Sequence, residues 1–138
     1  MSMFKVFDVA GSAMSAESLR LNITASNLAN ANSVSSSEGE TYRARQPVFA
    51  AMLEQASGGQ QANVGVQVRG IVESQAPLQQ QYNPNHPMAN AEGYVFLPNV
   101  NMVEEMANMI SASRSYQSNI EVINTAKQLA IQTLQIGS

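Results

Sequence analysis

The sequence predicts a mainly α protein with a small β part, in which long N- and C-terminal helices pair as a coiled-coil-like unit around a central β-hairpin and an extended strap. Three observations carry that prediction. Apolar residues recur at alternating three- and four-residue steps over both ends of the chain, the signature of a helix with one sticky seam. The stretch from Thr41 to Glu73 alternates with a period of two, and residues Ser74 to Asn99 hold four of the five prolines. The chain accordingly divides into a helix over 1–32, a middle segment over 33–100 and a second helix over 101–138, the outer two forming one unit.

From Met3 to about Ala31 the helical steps fall on Phe4, Phe7, Gly11, Met14, Ser18, Leu21, Ala25 and Leu28. Gly11 and Ser18 let another helix approach closely but bury little area, so neighbours must supply stability. The run from Asn27 to Asn32 is expected to stop this helix, because asparagine competes for backbone hydrogen bonds and tolerates the left-handed conformation. Ser33 to Glu40 is polar and without period, which reads as a mobile loop or insertion.

In the middle segment Tyr42, Ala44 and Val48 alternate with Arg43 and Arg45, and Val64, Val66 and Val68 alternate with Gly65, Gln67 and Arg69. Ser57-Gly58-Gly59-Gln60 between them is a natural loop tip. Thr41 to Glu73 therefore reads as a two-stranded hairpin, which is marginal by itself in water and needs a partner surface. Pro77, Pro84, Pro87 and Pro98 then keep Ser74 to Asn99 extended, with a short strand expected at Gly93 to Leu97.

Asn101 to Ile136 is the longest segment with one unbroken helical period. Its seam runs Met102, Met106, Met109, Ser113, Tyr116, Ile120, Ile123, Lys127, Ala130 and Leu134. Asn101 suits the N-cap, Glu104 the reciprocal position of a capping box, both Glu104 and Glu105 the positive end of the dipole, and Gly137 the C-terminal cap. At 1.5 Å per residue such a helix is about 54 Å long. Beyond Glu105 its only charges are Arg114, Glu121 and Lys127, so most of its surface can be buried without burying charge.

Composition narrows the function. Seven basic and ten acidic residues give a net charge of −3, and no cluster of Lys and Arg offers a track for nucleic acid. There is no cysteine, hence no disulfide, thiolate metal site or cysteine nucleophile. Lys5 and Asp8 stand where a signal peptide needs an apolar core, and no apolar run is long enough to span a bilayer, so neither cleavage nor insertion is expected. His86 is the only histidine, in Asn83-Pro84-Asn85-His86-Pro87-Met88, and no metal or catalytic partner lies near it in sequence; a turn or packing role accounts for it better. Glu104 and Glu105 splay about 100° apart on a helix, which argues for capping and against a paired acid and base. Gly58-Gly59 lacks the strand and helix of a nucleotide loop. No catalytic, cofactor or metal residue and no small-molecule substrate is predicted. The stripe of Met102, Met106 and Met109 reads as core or subunit packing before it reads as a peptide-binding surface. Arg114, with Tyr116 two residues on, reads as a solvated residue or an interface anchor.

Specific residues go further than periodicity. Leu19-Arg20-Leu21-Asn22-Ile23-Thr24-Ala25-Ser26-Asn27-Leu28-Ala29-Asn30-Ala31-Asn32 followed by Tyr42-Arg43 resembles the N-terminal signature of bacterial flagellar rod and hook proteins. Tyr82-Asn83-Pro84-Asn85-His86-Pro87, Gly93-Tyr94-Val95, Pro98-Asn99-Val100-Asn101, Glu105-Met106 and Ser113-Arg114-Ser115-Tyr116-Gln117-Ser118-Asn119 are similar to a proximal-rod member of that axial family, over nearly the whole chain. The serine-rich Ser33 to Glu38 departs from the pattern.

The resemblance implies a non-enzymatic subunit of the basal-body rod. It would leave the cell through the flagellar type III system without a cleaved signal and polymerise through its terminal helices into the hollow, periplasmic drive shaft through which flagellar proteins are exported. Expected partners are copies of itself, other rod proteins, the rod-base adaptor and the export gate, with the surrounding ring proteins as further candidates. The seam residues Phe7, Met14, Leu21, Leu28, Met106, Met109, Tyr116, Ile120, Ile123 and Leu134 are the expected subunit interface. Asn22, Asn27, Asn30, Tyr42, Arg43, His86, Pro87, Arg114 and Asn119 carry the family motifs. The alternative from another class is a soluble helical adaptor or chaperone-like binding module, which would fold fully alone and use the methionine stripe as a peptide groove.

Overall fold

The computed structural model describes residues 3–53 and 64–136. In chain order these form α1 (Met3–Asn30), β1 (Arg45–Leu53), β2 (Val64–Glu73), β3 (Gln79–Tyr82), β4 (Tyr94–Leu97) and α2 (Met102–Ile136). Two long helices and a small β part are the class expected from the sequence; the proposed loop tip at Ser57 to Gln60 and the cap at Gly137 lie outside the described residues.

The helices run antiparallel. Near one end Arg20 Nη2 donates to Asn108 Oδ1 at 3.2 Å, and near the other Val6 shares a groove with Ser118, Val122 and Leu129. Among the described elements α2 touches α1 alone, whereas α1 also meets β1 and β2. The line by which α2 meets its partner buries Glu105, Ala112 and Ala126, with Met109, Tyr116, Asn119, Ile123 and Ala130 half-buried along it. It coincides with the seam stepped off from Met102 at every second position and departs from it at the others. Glu105, Ala112, Asn119 and Ala126 face α1 where counting apolar side chains selected Met106, Ser113, Ile120 and Lys127. At Ala112 and Ala126 the reason is steric: close approach of two backbones favours small side chains, which a search for apolar bulk passes over, and Ala112 is 0% exposed.

The helix ends follow local chemistry. Asn101 caps α2, its Oδ1 accepting the N–H groups of Val103 at 3.1 Å and Glu104 at 3.4 Å. The return bond of a capping box, from Asn101 N–H to Glu104, is not formed. α1 stops without the left-handed asparagine expected, since no described residue other than glycine has positive φ. It tightens instead: Ala31 N–H donates to Leu28 O, Ser33 closes on Asn30 O through both its N–H and its hydroxyl, and Asn30 Nδ2 folds back on Ser26 O.

β1 and β2 pair antiparallel from Arg45↔Glu73 to Leu53↔Val64, with a bulge between Val48 and Phe49. The surface that the hairpin needs is α1, which crosses it from the outer edge of β1 to that of β2. At one end Asn27 bonds the backbone of Arg45; at the other Ser12 Oγ accepts Val66 N–H at 3.1 Å while donating to Val9 O. The strand begins at Arg45, later than the alternation from Thr41 suggests, because Tyr42 to Ala44 are held by side chains from elsewhere.

The strap is less plain than its prolines imply. Gln79–Tyr82 pairs with Tyr94–Leu97, and Ser35 extends this sheet by exchanging both backbone hydrogen bonds with Phe96 at 3.0 and 3.1 Å. That bridge also ties down the serine-rich stretch expected to be mobile: Ser35 Oγ and Thr41 Oγ1 lie 2.5 Å apart and both hydroxyls reach Ser37 O. Val95 and Phe96 are buried beneath it. Tyr82 and Tyr94 stack edge to face at 5.2 Å. Gly93, just before β4, has φ +83°, and a Cβ there would stand 2.9 Å from the Tyr82 ring and 3.2 Å from Pro84. Gly93→Ala is therefore expected to destabilise the fold by about 1–2 kcal/mol, the cost of a left-handed residue with a side chain; a thermal melt against wild type measures it, and an unchanged midpoint would contradict the conformational argument.

Candidate assembly surface

The outer faces of the two helices form the candidate assembly surface. Along α1, Phe7, Met14, Leu21 and Leu28 are half-buried, while Phe4, Gly11, Ser18 and Ala25 lie on an open ridge with Ser15 and Asn22. The ridge is mostly of small residues and open among the described residues; a Cβ placed on Gly11 would meet no atom within 4 Å. On α2 the sequence-predicted residues split. Met109, Tyr116 and Ile123 turn partly toward α1, whereas Met106, Ile120 and Leu134 are exposed.

Exposed apolar side chains on α2 extend well beyond those the seam selected. Val103 is 77% and Leu134 74% exposed, and Ile110, Val122, Leu129, Ile131 and Ile136 are also open. From Ile131 onward every described residue of α2 is exposed, so its C-terminal turns form an uncovered apolar end. Seam counting missed Val103, Ile110, Val122, Leu129, Ile131 and Ile136 because it follows one line. A plot at 100° per residue finds apolar side chains on both flanks of that line. The hairpin adds Val48, Phe49, Met52, Ile71 and Val72, each 40% exposed or more. Single exposed apolar residues are ordinary, whereas a run of them along one helix makes that face a candidate for contact with another molecule.

The motif residues occupy two kinds of place. Asn27, Tyr42 and Arg43 belong to a buried or half-buried polar joint. Asn27 is 1% exposed; its Nδ2 donates to Arg45 O at 2.9 Å, and its Oδ1 accepts Arg45 N–H at 3.0 Å and the Tyr42 hydroxyl at 2.8 Å. Arg43 Nη1 donates to Ser74 O and Ala76 O. Asn119 bonds Ser115 O within its helix, and His86 Nδ1 accepts Met88 N–H at 3.1 Å, so this imidazole holds a turn. Asn22, Pro87 and Arg114 are exposed, and Arg114 has no charged partner among the described residues. No described group of three or more His, Asp or Glu side chains converges.

Residues 7–35 match the family described as flagella basal body rod protein, and residues 91–136 match that described as flagellar basal body rod FlgEFG protein C-terminal. Over its whole length the chain is 53% identical to the flagellar basal-body rod protein FlgC of Salmonella typhimurium, with 99% of each chain covered. It belongs to the FlgC family. The FlgC proteins of Yersinia enterocolitica and of Buchnera aphidicola from Acyrthosiphon pisum are 50% and 45% identical to it, again with 99% of both chains covered. Membership in the FlgC family makes the chain a structural component of the flagellar basal-body rod. The two matched stretches cover most of α1 and all of α2, the helices that pair in space.

Proposed function

We propose that this chain polymerises through the outer faces of α1 and α2 into the wall of the hollow rod, passing the inner membrane through the flagellar type III system and assembling in the periplasm. One observation carries the reading: α2 buries Ala112 and Ala126 along its contact with α1 and leaves Val103, Ile110, Leu134 and Ile136 open. Burying any one of Val103, Ile110, Leu134 or Ile136 contributes about 1.5–3 kcal/mol. A head-to-tail contact that does not close on itself buries such residues in every copy and generates a helical tube. Copies of the same chain, other rod proteins, the rod-base adaptor and export gate beneath, and the surrounding rings are the neighbours that this position supplies. The sparse charge of Asn108 to Gln135, where only Arg114, Glu121 and Lys127 are charged, favours α2 as the lining of the channel.

Hydrogen exchange on the purified monomer and on assembled rods tests the reading. Exchange in residues 3–30 and 102–136 that is clearly faster in the folded monomer than in rods is the expected result. Equal, strong protection in both would overturn it and move the self-sufficient adaptor ahead, with the stripe of Met102, Met106 and Met109 as its peptide groove.

A further inference from the structure

The joint at the base of the hairpin has an arrangement that stability alone does not require. Two side-chain amides, one before the hairpin in sequence and one after it, grip consecutive peptide groups. Asn27, in α1, takes both the N–H and the C=O of Arg45. Asn99, in the segment leading into α2, accepts Ala44 N–H at 2.8 Å and donates to Ser74 O at 3.2 Å and Ala76 O at 2.9 Å. Ser74 N–H closes the circuit on Ala44 O at 2.8 Å. Both feet of the hairpin, residues 44–45 and 74–76, are thus fastened to the helical unit by groups that offer a donor and an acceptor at once, as a peptide does. One grip would leave a pivot. Two grips on adjacent peptides, from different elements, remove it. Tyr42 supports the first through its hydroxyl, also 3.2 Å from Ser26 Oγ, and Arg43 supports the second through the same two carbonyls that Asn99 uses. Apolar side chains would fill this volume without needing such geometry, whereas a satisfied polar network admits one arrangement.

We propose that Asn27 and Asn99 are positioning residues that fix the angle at which the β1–β2 hairpin is carried along the helix pair, and that entry into the rod requires that angle. The second half rests on the polymerisation set out above; the first does not. The chain has no cysteine, so Ser18→Cys on α1 and Gln67→Cys on β2 give two unique spin-label sites at exposed positions. The unsubstituted joint should give one narrow inter-label distance, and Asn27→Ala or Asn99→Ala a broad distribution at temperatures well below the melt, with helix content retained. A role in stability alone would lower the thermal midpoint and leave the folded-state distance narrow, which would overturn the proposal. Amide exchange separates the grips. Asn27→Ala should speed exchange at Arg45 by roughly five- to tenfold, the loss of one ordinary hydrogen bond, and leave Ala44 slow, while Asn99→Ala should do the reverse. Should Asn27→Ala fail to fold, Tyr42→Phe weakens the same grip by one bond and should broaden the distance more mildly; an unchanged distance there counts against the proposal. Unlabelled variants are then returned to a strain lacking the protein. Broad distances with normal rods would overturn the assembly half alone. Failure of the unsubstituted chain to polymerise would count against the reading of function, not against the joint.

Discussion

Gly11→Leu should strengthen the monomer and abolish the rod. In the isolated chain the substitution removes a helix-interior glycine, worth about 0.8 kcal/mol, and the new side chain enters space in which a Cβ meets no atom within 4 Å. Nothing within the chain opposes the change. In an assembly that brings a neighbouring helix onto the ridge of Gly11, Ser15 and Ser18, the same side chain overpacks the contact at a cost of about 1–3 kcal/mol per site. The cost recurs in every subunit, so polymerisation should fail outright. The decisive pair of measurements is a thermal melt of purified protein and electron microscopy of basal bodies from cells carrying only the variant. A raised midpoint with no rod is expected; a raised midpoint with normal rods would exclude this ridge from the interface.

Leu134→Asp and Ala112→Asp should divide folding from assembly. Leu134 lies on the uncovered end of α2 and is 74% exposed, so its change should move monomer stability by no more than about 0.5 kcal/mol. In the rod it would place a carboxylate where an apolar neighbour is expected, forfeiting burial of about 1.5–3 kcal/mol and adding the cost of an unpaired charge. Ile120→Asp, at the half-open middle of the same helix, should act in the same direction with a larger monomer penalty. Ala112 is completely enclosed against α1, and a carboxylate there separates the helices before any assembly begins. Solubility and a melting curve, read beside motility of complemented cells, distinguish the cases. Soluble, normally melting Leu134→Asp protein that restores motility would remove this end of α2 from the proposed contacts.

The two helices were legible because their periods run unbroken and a named cap opens the second. What periodicity could not give was the phase of their pairing. Met106 and Ile120 outrank Ala112 and Asn119 in any count of apolar character, yet the smaller residues make the contact, since the distance between axes is set by a partner's bulk that one helix's pattern does not contain. β3 was hidden for another reason. Gln79, Gln80 and Gln81 are polar in succession and have no alternation to betray a strand; their pairing with Tyr94 to Leu97 is imposed across the turn that Gly93 closes. The exposed apolar face proposed for assembly was half visible as a seam, and its remainder lies on flanks that a single line of heptad steps passes by. Asn27 stood out in the helix-stopping run and in a family signature, but not as the residue that grips Arg45, whose distance in space the sequence does not state.

The scarcity of charge on α2 bears on how a shaft made from such chains would respond to its surroundings. Beyond Glu105 the helix carries only Arg114, Glu121 and Lys127, so contacts along it have little Coulombic component for dissolved ions to screen. Their strength comes from water released off apolar surface, which weakens on cooling. A rod held together in this way tolerates large swings in external salinity and has its mechanical weak point in the cold.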